Sequence, residues 1–421
     1  MGNRVVVTGL GVCAPNGIGL KIFEDSLLNG VSGIRFQSEL ENLNFSCQIA
    51  GKPIIEDIYL NNYFTKLQLK GLNASGLRYG VIAGIDAWKN AELDVMAEKP
   101  DWNSGVIFGT GILGVDKFRE AIRKVDDGNV RRLGSTTVVQ TMASGISAYL
   151  GGILGMGNQV TTNSSACATG TEAILMGFDR IASGRAKRML VGSCSDSGPY
   201  VWGGFDAMRI LPTKFNDRPE EASRPMSASA SGFVPGSGAG ALVLESLDSA
   251  LERKAPIYAE ILGGAVNSGG QKQGGTMTAA NPKAVQRCIT DALENAAISS
   301  HQVDAINGHL TATAKDPDEI ENWSTALSRK GNDFPYINSF KGHFGHCLAA
   351  SGSIECVGTV LQLKTDKLFG TKNCDDIHPK ILEVISASQV INQTMDFKAN
   401  IIAKASFGFG DVNCCVIFKR F

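Results

Sequence analysis

Two segments of this 421-residue chain follow one pattern, and that pattern limits the fold more than any other feature. NSSACATGTEAILMGFDRI, from Asn163, and NSFKGHFGHCLAASGSIECVGTVLQL, from Asn338, each run from a strand through a loop of small residues into an apolar helix. The two stretches also close alike. FVPGSGAGALVLESL, after Gly232, and the terminal FGFGDVNCCVIFKRF are both glycine loops that feed an alternating apolar strand. An internal duplication follows, with halves at residues 1–250 and 251–421 and a polar boundary, SLDSALERKAP, at Ser246 to Pro256. No low-complexity linker divides the halves, so they are expected to pack as one unit.

Apolar β-branched runs at Val5 to Thr8, Gly105 to Phe108, Arg188 to Gly192 and Ala241 to Glu245 alternate with longer helical patterns, which indicates an α/β fold. The 49 glycines against 13 prolines suit tight turns and close backbone approaches in an ordered protein. With 40 basic and 41 acidic residues, no global field draws the chain to nucleic acid or an anionic membrane. The N-terminal MGNRVVVTGLGVCAPNG lacks the apolar run of a signal peptide or membrane span, so the expectation is a soluble, cytoplasmic protein. Ten scattered cysteines, none at C-x-x-C spacing, are expected to be reduced.

Among them Cys167 stands apart. It directly precedes the helical segment containing Ala173, Ile174, Met176 and Gly177, so it sits at a helix N-terminus. Free backbone N–H groups and the helix dipole there favour a thiolate and can hold an oxyanion. Free cysteines are most often small buried hydrophobes, but Ala166, Ala168 and Gly170 leave room for a substrate arm beside this one. Of the five histidines, His309 lies in AINGHLTATAKDPDEIE near the hydroxyls of Thr311 and Thr313, and His346 lies in NSFKGHFGHCLAASG with Lys341. His343 competes with His346 in the same loop, and residue chemistry alone leaves that choice open. Two histidines three apart, without further nearby ligands, make a weak metal site, and none is expected.

In order along the chain, VVVTGLG, FGTGILG, SACATGT, ASRP, GFVPGSGAG, NGHLTAT, KGHFGHCLAASG and SFGFG resemble the β-ketoacyl-acyl-carrier-protein synthases of the two-histidine branch. The resemblance spans essentially the whole chain, from Arg4 to the glycine loop at Phe407. It implies a duplicated thiolase-like fold with five αβαβα layers and two mixed sheets. It also implies decarboxylative condensation of a cysteine-bound acyl group with malonyl-acyl-carrier protein, in fatty acid or related polyketide biosynthesis. Matched by motif, Cys167 is the acyl acceptor, and His309, His346 and Lys341 complete the catalytic set, which selects His346 over His343. The backbone N–H groups of Cys167 and Phe407 would form the oxyanion hole, with Phe407 the first aromatic of the gate. Thr278, Thr311 and Thr313 would contact pantetheine, Ile112 and the following Leu113 would line the acyl pocket, and Glu321 would support Lys341. No cofactor is implied beyond the phosphopantetheine that arrives on the acyl carrier protein. The implied partners are that carrier and a second copy of the chain.

The chain departs from the pattern at Leu310, where a glycine is usual, at Asp411 in place of the last gate glycine, and at Ser237 in place of an acidic residue. One extra residue also separates Thr313 from an expected acidic pair, Asp318 and Glu321. Lys66, Lys70 and Arg78 offer a basic surface for an acidic carrier. Two rivals are a thiolase, whose second cysteine Cys414 and Cys415 do not supply from a strand-like NCCVIF, and a silent chain-length-factor partner, which typically loses the nucleophile that Cys167 retains.

Overall fold

A computed structural model of the protein describes residues 2–95 and 98–421. Ten strands form one hydrogen-bonded path: β1 Val5–Ala14, β2 Ser104–Thr110, β3 Val160–Thr161, β4 Arg188–Ser195, β5 Gly238–Ser246, β6 Ala259–Ser268, β7 Ala305–Asn307, β8 Tyr336–Asn338, β9 Ile401–Gly408 and β10 Val412–Lys419. All four expected strand runs lie inside these elements.

The order β8-β7-β9-β10-β6-β1-β5-β4-β2-β3 makes the duplication explicit. In each half the third strand lies beside the second, then come the fourth, fifth and first. Strand directions match as well: β2 is parallel to β3 and β4, and β7 is parallel to β8 and β9. The remaining pairs within each half are antiparallel. The two mixed sheets are thus five-stranded halves, and they are not separate: Val5, Val6 and Val7 pair with Ile261, Glu260 and Ala259 to join them.

Five helices are needed to describe the layers: α1 Ser75–Asn90, α2 Thr169–Ala182, α3 Pro282–Asn295, α4 Asp316–Leu327 and α5 Ser351–Thr365. Helices α2 and α5 lie between the half-sheets, in a core that includes Ile174, Val191, Leu244, Ile354 and Val357. A second cluster packs α1 on the outer face of the first half, and a third packs α3 and α4 on the outer face of the second. Helix α5 lacks a polar face because sheet and helix surround it, and residues 351–363 are all buried.

Small residues let the central helices meet. A Cβ on Gly170 would lie 2.3 Å from the Ser353 nitrogen, and one on Gly352 would lie 2.7 Å from the Thr171 nitrogen. This approach brings the N-termini of α2 and α5 together at the interface of the halves.

Candidate active site

Strand β3 leads through Thr162–Ser165 into a 3-10 turn, Ala166–Ala168, that continues as α2. Ala166 takes φ 48°, a left-handed turn that sets Cys167 at the helix start. The Asn163 amide donates to the Thr169 carbonyl and to Glu172 at 2.9 Å each, and the Ser165 N–H donates to Thr169 Oγ1 at 2.9 Å. The Cys167 position is therefore rigid. Its thiol is pushed up to about 11, because burial outweighs the charge of Lys341 and a hydrogen bond from the Phe409 backbone. The helix terminus therefore does not make a resting thiolate, as expected from position alone, and Cys167 rests as a thiol.

His309 follows β7, and its backbone is held from two sides. The N–H groups of His309 and Leu310 donate to the two oxygens of Glu319 at 2.7 and 2.8 Å, and the His309 carbonyl accepts from Lys341 Nζ at 2.6 Å. His346 is anchored by its backbone N–H to the Val234 carbonyl at 2.7 Å. Its Nδ1 accepts from the Leu348 N–H at 2.9 Å, so in the neutral ring the proton sits on Nε2. The two imidazoles meet edge to face, centroids 5.4 Å apart, and the Cys167 sulfur and one nitrogen of each ring lie within 4.8 Å of one another. Burial, followed by the positive charge of Lys341, holds both rings well below the usual histidine range, so both are neutral. His343 is buried elsewhere in the loop, outside the cavity wall, and is pushed down to about 4 by burial.

The supporting carboxylates differ from those expected. Glu321 is exposed, and Asp318 is an exposed partner of Lys315 at 2.9 Å. Helix α4 begins at Asp316, and this phase turns Asp316 and Glu319 inward while residues 318 and 321 face solvent. Asp316 accepts from the N–H groups of Thr311 and Met226 at 2.9 and 2.8 Å. Burial raises Asp316 to about 6 and Glu319 to about 7. Lys341 instead pairs with Glu355 on α5, which the sequence reading missed. Lys341 is fully buried and away from the cavity, so it holds His309 rather than touching a substrate.

A cavity of about 720 Å³ opens on Cys167, His309 and His346. Thr278, Thr311, Thr313 and Ile112 all line it, and Thr311 and Thr313 share a hydroxyl hydrogen bond at 3.1 Å. Leu113 is buried outside its wall. Phe407 lines it too, its ring 6.2 Å from that of His309, but the N–H that reaches the Cys167 sulfur belongs to Phe409. The backbone N–H at the thiol thus lies two residues beyond Phe407, where the resemblance placed it. Gly408 lies in β9, where a Cβ would fall 3.1 Å from the Cys167 nitrogen, so the strand passes directly over the nucleophile turn.

The departures also acquire structural roles. Leu310 takes φ 22°, a strained backbone that Glu319 and Lys341 clamp from either side, and its side chain packs in the outer core of the second half. Asp411 is buried and points away from the cavity, accepting from the N–H groups of Asn281 and Gln271 at 2.8 and 3.1 Å. It ties the gate turn to the loop that carries Thr278. Arg78 donates to the carbonyls of Leu72 and Leu69, so of the three expected docking cations only Lys66 and Lys70 are exposed.

The β-ketoacyl synthase N-terminal domain model matches residues 2–250, and the C-terminal domain model matches residues 258–375. The chain belongs to the β-ketoacyl synthase family. It is 32% identical to the chloroplastic 3-oxoacyl-[acyl-carrier-protein] synthase I of Arabidopsis thaliana, over 99% of this chain and 87% of that protein. Identity to 3-oxoacyl-[acyl-carrier-protein] synthase 2 of Vibrio harveyi is also 32%, over 99% and 98%. Among solved structures, a β-ketoacyl synthase from Burkholderia phymatum matches with a TM-score of 0.89 at 26% identity over the full length of both chains. A type II polyketide ketosynthase, solved with its acyl-carrier protein and bound to a hexaketide, matches with a TM-score of 0.87 at 27% identity, again over both full lengths. This β-ketoacyl synthase thus has the thiolase-like fold of its relatives. Among the described residues, no helix is long and apolar enough to cross a membrane.

Proposed function

We propose that this synthase joins a Cys167-bound acyl group to a malonyl unit carried on acyl-carrier protein, with His309, His346 and two backbone N–H groups as its working parts. The convergence of one thiol and two neutral imidazoles at the floor of a single cavity carries this reading. Acyl transfer begins when the thiol loses its proton. His346 Nε2 already carries one, so His309 is the base of the pair, and the proton passes on to the departing pantetheine sulfur. The N–H groups of Cys167 and Phe409 hold the oxyanion of the tetrahedral intermediate.

Malonyl-carrier thioester enters next and loses carbon dioxide. The enolate oxygen is held by His346 Nε2–H and by His309 in the tautomer that turns its N–H to the cavity. The enolate carbon attacks the acyl-cysteine, and the expelled Cys167 thiolate takes a proton from solvent as the β-ketoacyl thioester forms. Thr278, Thr311 and Thr313 guide the pantetheine arm, and no resident cofactor takes part. An acidic carrier would approach over the cavity mouth, with Lys66 and Lys70 as candidate contacts.

Two copies are proposed to pair across the face that exposes Ile112, Phe118, Ile122 and Val138, where segments 115–126, 137–141 and 145–154 pack in succession toward the unpaired edge of β3. The ten free cysteines suit a reducing compartment such as the cytoplasm.

Incubation with acyl-carrier thioesters of several chain lengths, followed by peptide mass spectrometry, tests the central claim. An acyl adduct on Cys167 is expected. No adduct at any length would reduce the chain to a silent partner subunit.

A further inference from the structure

Behind the histidines lies a buried charge cluster in which Lys404 has no part in the reaction described above. Lys404 sits on β9 with its side chain fully buried, and its ammonium contacts Glu355 Oε2 at 2.9 Å. The other Glu355 oxygen pairs with Lys341, whose Nζ also donates to the His309 carbonyl at 2.6 Å. Lys404 donates further to Ser406 Oγ at 3.2 Å and to the Ala405 carbonyl. One carboxylate thus faces two ammonium groups, and the buried cluster carries one formal positive charge in excess.

The duplication supplies an internal control for what the fold itself requires. Ser193 Oγ meets Ser353 Oγ at 2.7 Å, and Ser406 Oγ meets Thr171 Oγ1 at 2.9 Å, so Ser193 corresponds to Ser406 and Thr171 to Ser353. Two residues before Ser193 stands Val191, and two after Thr171 stands Ala173. Both are fully buried in the central core. The counterparts of Lys404 and Glu355 are therefore aliphatic, and strand and helix pack there without an ion pair. Burying ions costs more than burying aliphatic groups of similar volume, so the second half carries these charges for a reason other than packing.

We propose that Lys404 is a positioning residue for condensation: by sharing Glu355 with Lys341 it leaves a net positive charge behind His309 and His346. That charge disfavours imidazolium and favours the anions that form in front, the enolate and the tetrahedral oxyanion. Lys404 acts through Glu355 and Lys341 and never meets the substrate. The titratable and charged groups facing this cluster are Lys341 and Cys347 from the loop before α5, Glu355 and Cys356 from α5, Cys415 from β10, Glu319 from α4, Cys167 from the turn before α2, and the two histidines. Of the causes lowering both rings, Lys341 precedes Lys404, and burial precedes both.

This inference rests on the condensing reading, so the test first requires the Cys167 adduct in the wild-type protein. Its absence there would defeat the reading itself, not the role of Lys404. K404M and K404Q are then compared with wild type for thermal melting, acyl adduct, and the pH profile of condensation. The expected result is a folded protein that still acylates Cys167, with kcat lowered by about tenfold, KM for malonyl-carrier thioester little changed, and the acidic limb moved to higher pH. An unmoved acidic limb in a folded variant would overturn the proposal. So would failure of both variants to fold, because Lys404 would then serve stability and the Val191 comparison would not hold.

Discussion

The two halves share a strand order and a helix-start geometry, yet only one seats a cysteine at that start. Cys167 occupies the middle of the turn Ala166–Ala168 before α2, and Ala349 occupies the middle of the turn Leu348–Ala350 before α5. Ala166 and Leu348 both open their turns with positive φ, at 48° and 51°, and Ala349 also borders the cavity. Backbone geometry therefore creates the same seat twice. What differs is the surroundings: Cys167 faces the Phe409 N–H and two imidazoles, all contributed by the second half. A helix N-terminus supplies a place for chemistry, and side chains from the other half make the reaction.

The sharpest way to break this comparison is to move the nucleophile. C167A/A349C is expected to show no condensation above background in a radiolabelled malonyl-incorporation assay, although it restores a cysteine at the equivalent turn. Recovered activity would mean that the helix start alone suffices. C167Q is expected to abolish condensation equally while malonyl decarboxylation, followed by carbon dioxide release, persists or rises because His309 and His346 remain. In contrast, H346A should lower decarboxylation by about 10²–10³-fold, the effect of removing one donor from a developing oxyanion.

Stability should respond symmetrically where catalysis does not. G170A and G352A place a Cβ 2.3 and 2.5 Å from the facing helix or its side chain, and each is expected to cost about 1–3 kcal/mol by chemical denaturation. A large difference between them would show that the central helices are not packed as equivalent partners. A smaller effect concerns the thiol. Because burial holds Cys167 up to about 11, its alkylation by iodoacetamide should keep rising well above pH 8. A plateau near neutral pH would restore the helix-dipole thiolate that the burial of the site displaces.

The repeat, Cys167 and His309 were legible from local pattern, a small-residue loop before an apolar helix or a histidine beside hydroxyls, whereas His346 was separated from His343 only by the motif resemblance. The misplaced carboxylates depend on phase. Glu321 was favoured over Glu319 because linear spacing does not tell where α4 begins, and two residues of phase exchange an inward carboxylate for a solvated one. Phe407 and Phe409 lie on the same side of the chain and both line the cavity, so no periodicity separates them; only the turn after β9 brings the Phe409 N–H to Cys167. Glu355 and Lys404 did leave a trace. Each is a lone charge in a run of small and apolar residues, GSIECVG and IIAKASF, and two such charges of opposite sign in buried segments announce a pair. Only the fold, however, shows that Lys341 shares the same carboxylate.

The second half also concentrates charge in a way that pH can read. Glu319, raised to about 7 by burial, and Asp316, raised to about 6, both support the His309 loop. A carboxyl whose folded value exceeds its unfolded value of 4.5 binds its proton more tightly when folded. Its contribution to stability is complete below pH 4.5 and is lost as pH rises through about 7. E319Q mimics the protonated form across that range. The melting temperature of E319Q relative to wild type is therefore expected to climb between pH 4.5 and 7 and to level off above. A difference that stays flat would place the Glu319 charge in the folded protein at ordinary carboxylate pH. The clamp on His309 would then be ionic throughout the working range, and the backbone N–H groups of His309 and Leu310 would be enough to offset the burial of the charge.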